Sequence, residues 1–137
     1  MTCSYMDGWR NYAPTVLRLA TGIIFALHGW QKLEGGLPGV AGFVGSLGFP
    51  MPELFAVLLI AAELGGGILL ILGLLTRWAA KALVVVSLVA LFLVHLPNGF
   101  YMATGGYEYI LLLLAASVSL MLTGGGKWSL DRMLWKK

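Results

Sequence analysis

The sequence predicts an all-α integral membrane protein: a four-helix bundle with a glycine-rich outer-leaflet loop or half-helix and a C-terminal interfacial amphipathic helix. Three observations predict it. Of the 137 residues, 59% are apolar and 11% are charged, against roughly 45–50% and 25% in soluble domains. Four apolar stretches each approach the roughly 20 residues that cross a bilayer. The Lys and Arg side chains gather at one set of stretch ends, as cytoplasmic ends require. The same composition excludes disorder, which needs low hydrophobicity and high net charge. A net charge of +3 builds no basic stripe for nucleic acid, so the expected surround is the lipid bilayer and the length suits a single membrane domain over 1–137.

The first stretch runs from about 14 to 33, and Pro14 suits a first helical turn, where a missing N–H costs nothing. No cleavable signal is read there. Met1 to Ala13 is polar and aromatic, and the stretch carries Arg18 and His28 with no A-x-A site after it. The second stretch covers about 52–75, and the third covers about 78–96, stopped by Pro97 and Asn98. The fourth, about 107–123, is short but sufficient if its polar ends snorkel. Three glycines, Gly124 to Gly126, lead into a tail that alternates Trp128, Leu130, Met133, Leu134 and Trp135 with Asp131, Arg132, Lys136 and Lys137. This reads as a surface helix over about 129–136 with Ser129 as its cap.

Between the first two stretches, glycines stand at 36, 39, 42, 45 and 48, a period of three. A collagen strand is excluded, because so few triplets without proline-rich positions hold no triple helix. Val40, Phe43, Val44, Leu47 and Phe49 are too apolar for a free loop, so a short close-packed helix or re-entrant turn is expected. It serves either as a lid over what the helices enclose or as an interfacial connector.

Four crossings put both termini and the second-to-third loop on one side. That side receives Arg10, Arg18, Arg77, Lys81, Lys127, Arg132, Lys136 and Lys137, and the opposite side only Lys32. Both termini are therefore expected in the cytoplasm.

Ionisable groups inside a span cost about 2.5–3.5 kcal/mol each, so each needs a partner or a purpose. At 100° per residue, Arg18, Thr21, Gly22, Phe25, His28, Gly29 and Lys32 form an inward stripe, while Leu19, Ile23, Ile24, Leu27 and Trp30 fall mostly toward lipid. Glu63 lies near mid-span on the second helix, with Gly66 and Gly67 placed to admit a neighbouring helix. The third helix sets Lys81, Leu88, Leu91 and His95 on one face, and the fourth aligns Glu108, Leu112, Ala115 and Ser119. At 1.5 Å per residue His28 lies about 7 Å inside its outer end. His28, His95 and Glu108 can then converge in the outer leaflet, with Glu63 as the floor of the same cavity. Arg18 either snorkels inward or reaches toward Glu63.

Plainer roles stand beside these. Lys32, Arg77 and Lys81 suit snorkelling anchors, and Trp30, Tyr101, Tyr107 and Tyr109 an aromatic belt. His95 beside Pro97 suits a helix end near headgroups, and a neutral Glu63 could simply rigidify the bundle. No serine sits in a nucleophile elbow, and no glycine run follows a strand as a dinucleotide fingerprint needs. No metal site is assigned, because the histidines, Glu63 and Glu108 come from different helices without local ligand spacing. A haem between His28 and His95 would lack an evident large pocket. The single cysteine, Cys3, placed in a tail, cannot run a dithiol cycle.

The run RLATGIIFALHGWQKL (Arg18 to Leu33), the glycine-spaced loop ending LGFPMP, the segment AAELGGGILLILGLLTRWAA (Ala61 to Ala80), His95 and the closing GGGKWSLDR together resemble the DoxX family. The resemblance covers nearly the whole chain, and its specificity lies in the order and spacing of the motifs. It implies a four-helix bundle in the bacterial inner membrane, similar to the membrane subunit of thiosulfate:quinone oxidoreductase, with some members linked to oxidative-stress complexes and distant relatives resembling assembly factors. Arg18, His28, Lys32, Glu63 and His95 match recurring polar positions of the family, whose motifs assign them no roles.

The expected function is a quinone-associated redox subunit. His28 and His95 would hydrogen-bond a quinone carbonyl and relay protons, while Glu63 or Glu108 supplies or orients the proton. Phe25, Phe43 and Tyr101 would pack against the ring, with Arg18 and Lys32 as further ligand-binding positions. Because quinone chemistry couples electrons to protons and no cysteine pair or cofactor motif marks a carrier in this chain, a protein partner or the substrate itself would supply the electrons. The alternative is a non-catalytic assembly or scaffold factor whose polar cluster sets helix registry. Transport lacks the inverted repeats expected of a secondary transporter.

Overall fold

Three of the helices open on a proline, where fixed φ and the missing N–H cost nothing: Pro14 in α1 (Ala13–Glu34), Pro38 in α2 (Leu37–Ser46) and Pro52 in α3 (Pro52–Leu72). The computed structural model describes residues 8–135, and these contain helices and turns but no strand. The remaining helices are α4 (Thr76–Asn98), α5 (Glu108–Thr123) and α6 (Leu130–Leu134). With 21 and 23 residues, α3 and α4 are long and apolar enough to cross a membrane. The α1 helix matches them in length at 22 residues but carries Arg18 and Lys32, and α5 is shorter at 16.

These boundaries refine the expected ones. The second stretch stops at Leu72, because Gly73 adopts a left-handed C-cap with φ 67°, a conformation that glycine takes without a Cβ clash. The third starts earlier, at Thr76, and runs past Pro97 in a final 3-10 turn, Leu96–Asn98. Both α3 and α4 contain a π-helical turn, Ala61–Gly65 and Ala90–His95. Each such turn takes in an extra residue and rotates the next part of the helix about its axis. The glycine-rich outer segment is the ten-residue helix α2, whose Val40 and Val44 pack on Ala56 and Ile60 of α3.

Glycine sets the contact between α1 and α3. A Cβ on Gly29 would lie 2.4 Å from the backbone N of Leu64, and one on Gly67 would lie 2.4 Å from that of Ala26. The two backbones touch directly, as small residues permit in membrane helices. Phe25, Leu70, Leu83, Leu91, Leu113 and Leu120 fill the main core between α1, α3, α4 and α5. The outward faces carry exposed apolar side chains such as Val16, Ile23, Leu27, Val57, Val85, Phe92 and Leu112.

Two predicted faces are corrected. The buried side of α4 is Ala80, Leu83, Ser87 and Leu91, leaving Lys81 and Leu88 outward. The buried side of α5 is Ile110, Leu113, Ser117 and Leu120, leaving Leu112 and Ala115 of the aligned set outward. Both faces are chosen by the fit of apolar side chains against the neighbouring helix, which outweighs the alignment of polar positions.

One end of the molecule gathers the start of α1, the α3–α4 turn, the end of α5 and the tail. Lys127 donates its backbone N–H to Asn11 O at 3.1 Å. Asp131 accepts from the backbone N–H of Leu75 at 2.6 Å and of Thr76 at 2.8 Å, so it caps the N-terminus of α4 from 55 residues away. Ser129 caps α6 by accepting from Arg132 N. The tail helix is five residues long, and Trp128, Met133, Leu134 and Trp135 stay exposed along it. Cys3, Lys136 and Lys137, expected in the tail or on the cytoplasmic side, lie outside the described residues.

Candidate functional site

At the end opposite the Arg18 cluster, α1, α2, α3, α4 and α5 line a cavity of about 790 Å³ that is open on one side, with His28 and Phe43 exposed at its rim. Its wall is apolar, with Phe25 from α1, Phe43 from α2, and Val86 and Val94 from α4. Five polar side chains interrupt it: His28, Lys32, Glu63, His95 and Tyr109. Cavities in this size range, mostly apolar with a few placed polar groups, are the usual form of small-molecule sites.

Lys32 and Glu63 form one unit. The Lys32 ammonium donates to Glu63 Oε2 at 2.6 Å. The Gly29–Leu64 contact creates that pair, since it brings the last turn of α1 against the π-turn that carries Glu63. The carboxylate is buried at 9% side-chain exposure and the ammonium is 26% exposed. This corrects two expectations. Lys32 does not stand as a snorkelling anchor, and Arg18 does not reach Glu63.

Arg18 is instead committed at the other end. It donates to the carbonyls of Gly125 and Leu70, each at 2.8 Å, and to those of Ile71 and Trp128. It is buried and adds a donor to carbonyls of the last turn of α3, of which Leu70 O also accepts from the backbone N–H of Gly73 at 3.1 Å. A guanidinium spent on four backbone acceptors clamps the tail to the helices and has no role in the cavity.

Each cavity histidine has one ring nitrogen occupied by a carbonyl. His28 Nδ1 lies 2.9 Å from Ile24 O, one turn back on α1, and His95 Nδ1 lies 2.8 Å from Gly105 O in the α4–α5 connection. A carbonyl only accepts, so both Nδ1 atoms carry the hydrogen and donate it. In the neutral ring the lone pair is then on Nε2, which has no protein partner among the described residues. The His28 ring stacks obliquely on Tyr109, with centroids 6.4 Å apart.

The structure brings together His28, Lys32, Glu63, His95, Phe25 and Phe43 from the predicted set and leaves three residues out. Glu108 turns away to accept from the backbone N–H of Met102 at 2.6 Å. Tyr101 is exposed on the outer connection and packs edge-on against Phe100 at 5.4 Å. Arg18 is in its clamp. The convergence expected of Glu108 fails because the connection between α4 and α5 folds into a 3-10 turn, Met102–Thr104, whose first N–H takes the carboxylate. Tyr109, read as part of an aromatic belt, faces the cavity instead. Its neighbour Ile110 is buried and lines the same cavity. Among the described residues no three His, Cys, Asp or Glu side chains group as a metal site.

Residues 13–96 match the DoxX family model. Over 121 residues the chain is 37% identical to a Bacillus subtilis protein named "Putative oxidoreductase CatD", covering 88% of this chain and 86% of that one. It is 31% identical over 124 residues to the Escherichia coli inner membrane protein YqjF, covering 89% and 92%. It is 34% identical over 136 residues to the Mycobacterium tuberculosis membrane protein Rv3486, covering 90% and 83%. No solved structure matches the chain.

Proposed function

Since the chain belongs to the DoxX family of membrane proteins, we propose that it is a quinone-associated redox subunit of the bacterial inner membrane, crossing as a four-helix bundle with both termini in the cytoplasm. The grouping of the α1 start, the α3–α4 turn and the tail at one end supports four crossings, because an even number returns these segments to one side. The exposed Trp128, Met133 and Trp135 would lie in the cytoplasmic interface as an anchor.

The cavity carries this reading: its walls are apolar, and two histidine nitrogens without a partner among the described residues share it with an ion pair. These residues fit a quinone. At about 790 Å³ the space admits a ring headgroup and the start of an isoprenoid tail. Phe25 and Phe43 supply aromatic faces for the ring, while His28 and His95 supply nitrogens for its two oxygen substituents. A bound quinone supplies a two-electron, two-proton couple. The protein's own part is to place the ring, exclude water and move protons at Nε2 of His28 and His95, with Glu63 as the next acceptor once Lys32 releases it. The chain has one cysteine and so makes no dithiol couple by itself. The two electrons come from a partner protein, and the chain is a subunit.

The test is binding of a short-chain ubiquinone in its oxidised and reduced forms to the purified protein in lipid nanodiscs. Saturable binding that is lost in a folded His28→Ala, His95→Ala double variant supports the reading; equal binding by that variant defeats it.

One observation favours a scaffold as the second reading: Lys32 with Glu63, and Arg18 with its carbonyls, tie helices together with their bonds already satisfied. A scaffold keeps full cellular activity in a folded Glu63→Gln variant, whereas a proton path through Glu63 loses it.

A further inference from the structure

We propose that the cavity selects the reduced, hydroxyl-bearing form of its ring ligand, a quinol, over the quinone. The inference rests on the quinone reading above and adds which oxidation state the site is built to hold.

The two forms differ in hydrogen bonding. A quinone presents two carbonyl oxygens, which only accept, and a quinol presents two hydroxyls, which donate. The groups opposite them are set by the backbone. Ile24 O takes the Nδ1–H of His28, and Gly105 O takes that of His95. In its neutral form each ring therefore offers a lone pair at Nε2 and no hydrogen. A quinone oxygen placed against either would meet lone pair with lone pair. A quinol hydroxyl would complete the bond. The same arrangement arises twice, from different helices and through different carbonyls, one within α1 and the other in the α4–α5 connection.

The donors in the cavity do not offset this. The Lys32 ammonium gives one of its three N–H bonds to Glu63 at 2.6 Å and can give another to a carbonyl or a hydroxyl oxygen alike, so it does not discriminate. Tyr109 carries one hydroxyl that can donate or accept, and so does not discriminate. Loss of two hydrogen bonds, each worth a modest net amount, separates the two forms by about tenfold or more in affinity.

The experiment is a pair of equilibrium titrations on the full-length protein in nanodiscs at neutral pH under argon, with short-chain ubiquinol in one and the matching ubiquinone in the other. The expected result is a quinol Kd about tenfold or more below that of the quinone. In folded single variants His28→Ala and His95→Ala, the ratio should move toward one as quinol affinity falls further than quinone affinity. A quinone that binds as tightly as the quinol, or more tightly, overturns the selection while leaving the quinone reading intact. Absence of binding by either form overturns both.

Discussion

Lys32, in the last turn of α1, donates to Glu63, in the π-turn of α3, at 2.6 Å, and the two charges neutralise each other at the wall of an apolar cavity. Removing one partner strands the other. Lys32→Met leaves a carboxylate at 9% exposure without its cation and is expected to cost about 2–4 kcal/mol of stability. The Lys32→Met, Glu63→Leu double variant should recover much of that loss, since no charge then remains to be buried. Thermal unfolding in detergent of both single variants and the double variant measures the coupling. A double variant whose loss equals the sum of the two single losses would show that the pair is not a coupled unit.

Gly29 makes that pair possible. A Cβ at this position would sit 2.4 Å from Leu64 N and 2.7 Å from Leu64 Cα, which are backbone atoms that cannot swing aside. Gly29→Ala should therefore push α1 off α3 and cost about 1–3 kcal/mol. Gly39, also helical, has nothing within 4 Å of its Cβ position. Gly39→Ala should be neutral or slightly stabilising, so the difference between the two melting temperatures isolates the close contact from helix propensity.

These relations also mark how far the sequence could be read. The helices were legible because long apolar runs meet Pro14, Pro52, Pro97 and the Gly124–Gly126 run, and such breaks have local causes. The cavity set was partly legible, since a uniform 100° step places Phe25, His28 and Lys32 near one another on α1. Glu63 could be flagged as costly, but its partner could not be named. The pairing depends on a backbone contact between two helices and on a π-turn, and neither leaves a period in the sequence. Glu108 was misplaced for a related reason: a carboxylate beside a turn binds the nearest free N–H, here that of Met102, before it reaches a distant cavity.

Asp131 ties the tail to the α3–α4 turn. It accepts from Leu75 N and Thr76 N, and Leu75 holds a left-handed φ of 49°, which for leucine costs roughly 1–2 kcal/mol. Asp131→Ala should lose about 1–2 kcal/mol, the range for a lost cap, and should free the tail for proteolysis near Lys127. Adding Leu75→Gly removes the strain that the cap offsets, so the double variant should melt above Asp131→Ala alone. If Leu75→Gly lowers the melting temperature further, the leucine side chain matters more than its backbone.

The charge distribution predicts sidedness independently of the cavity. Arg18, Arg77 and Lys127 lie at the end where Asn11 meets Lys127 N, and cations resist translocation. That end should face the cytoplasm, and α2 should face the periplasm. In a Cys3→Ser background, which removes the native thiol, single cysteines at the exposed Gly39 and Lys127 report each side. Gly39→Cys should react with a membrane-impermeant maleimide once the outer membrane is opened, while Lys127→Cys should react only after the inner membrane is permeabilised. Labelling of Lys127→Cys in sealed spheroplasts would invert the topology and place the cavity in the inner leaflet. The Lys32–Glu63 pair would then exchange protons with the cytoplasm and not with the periplasm.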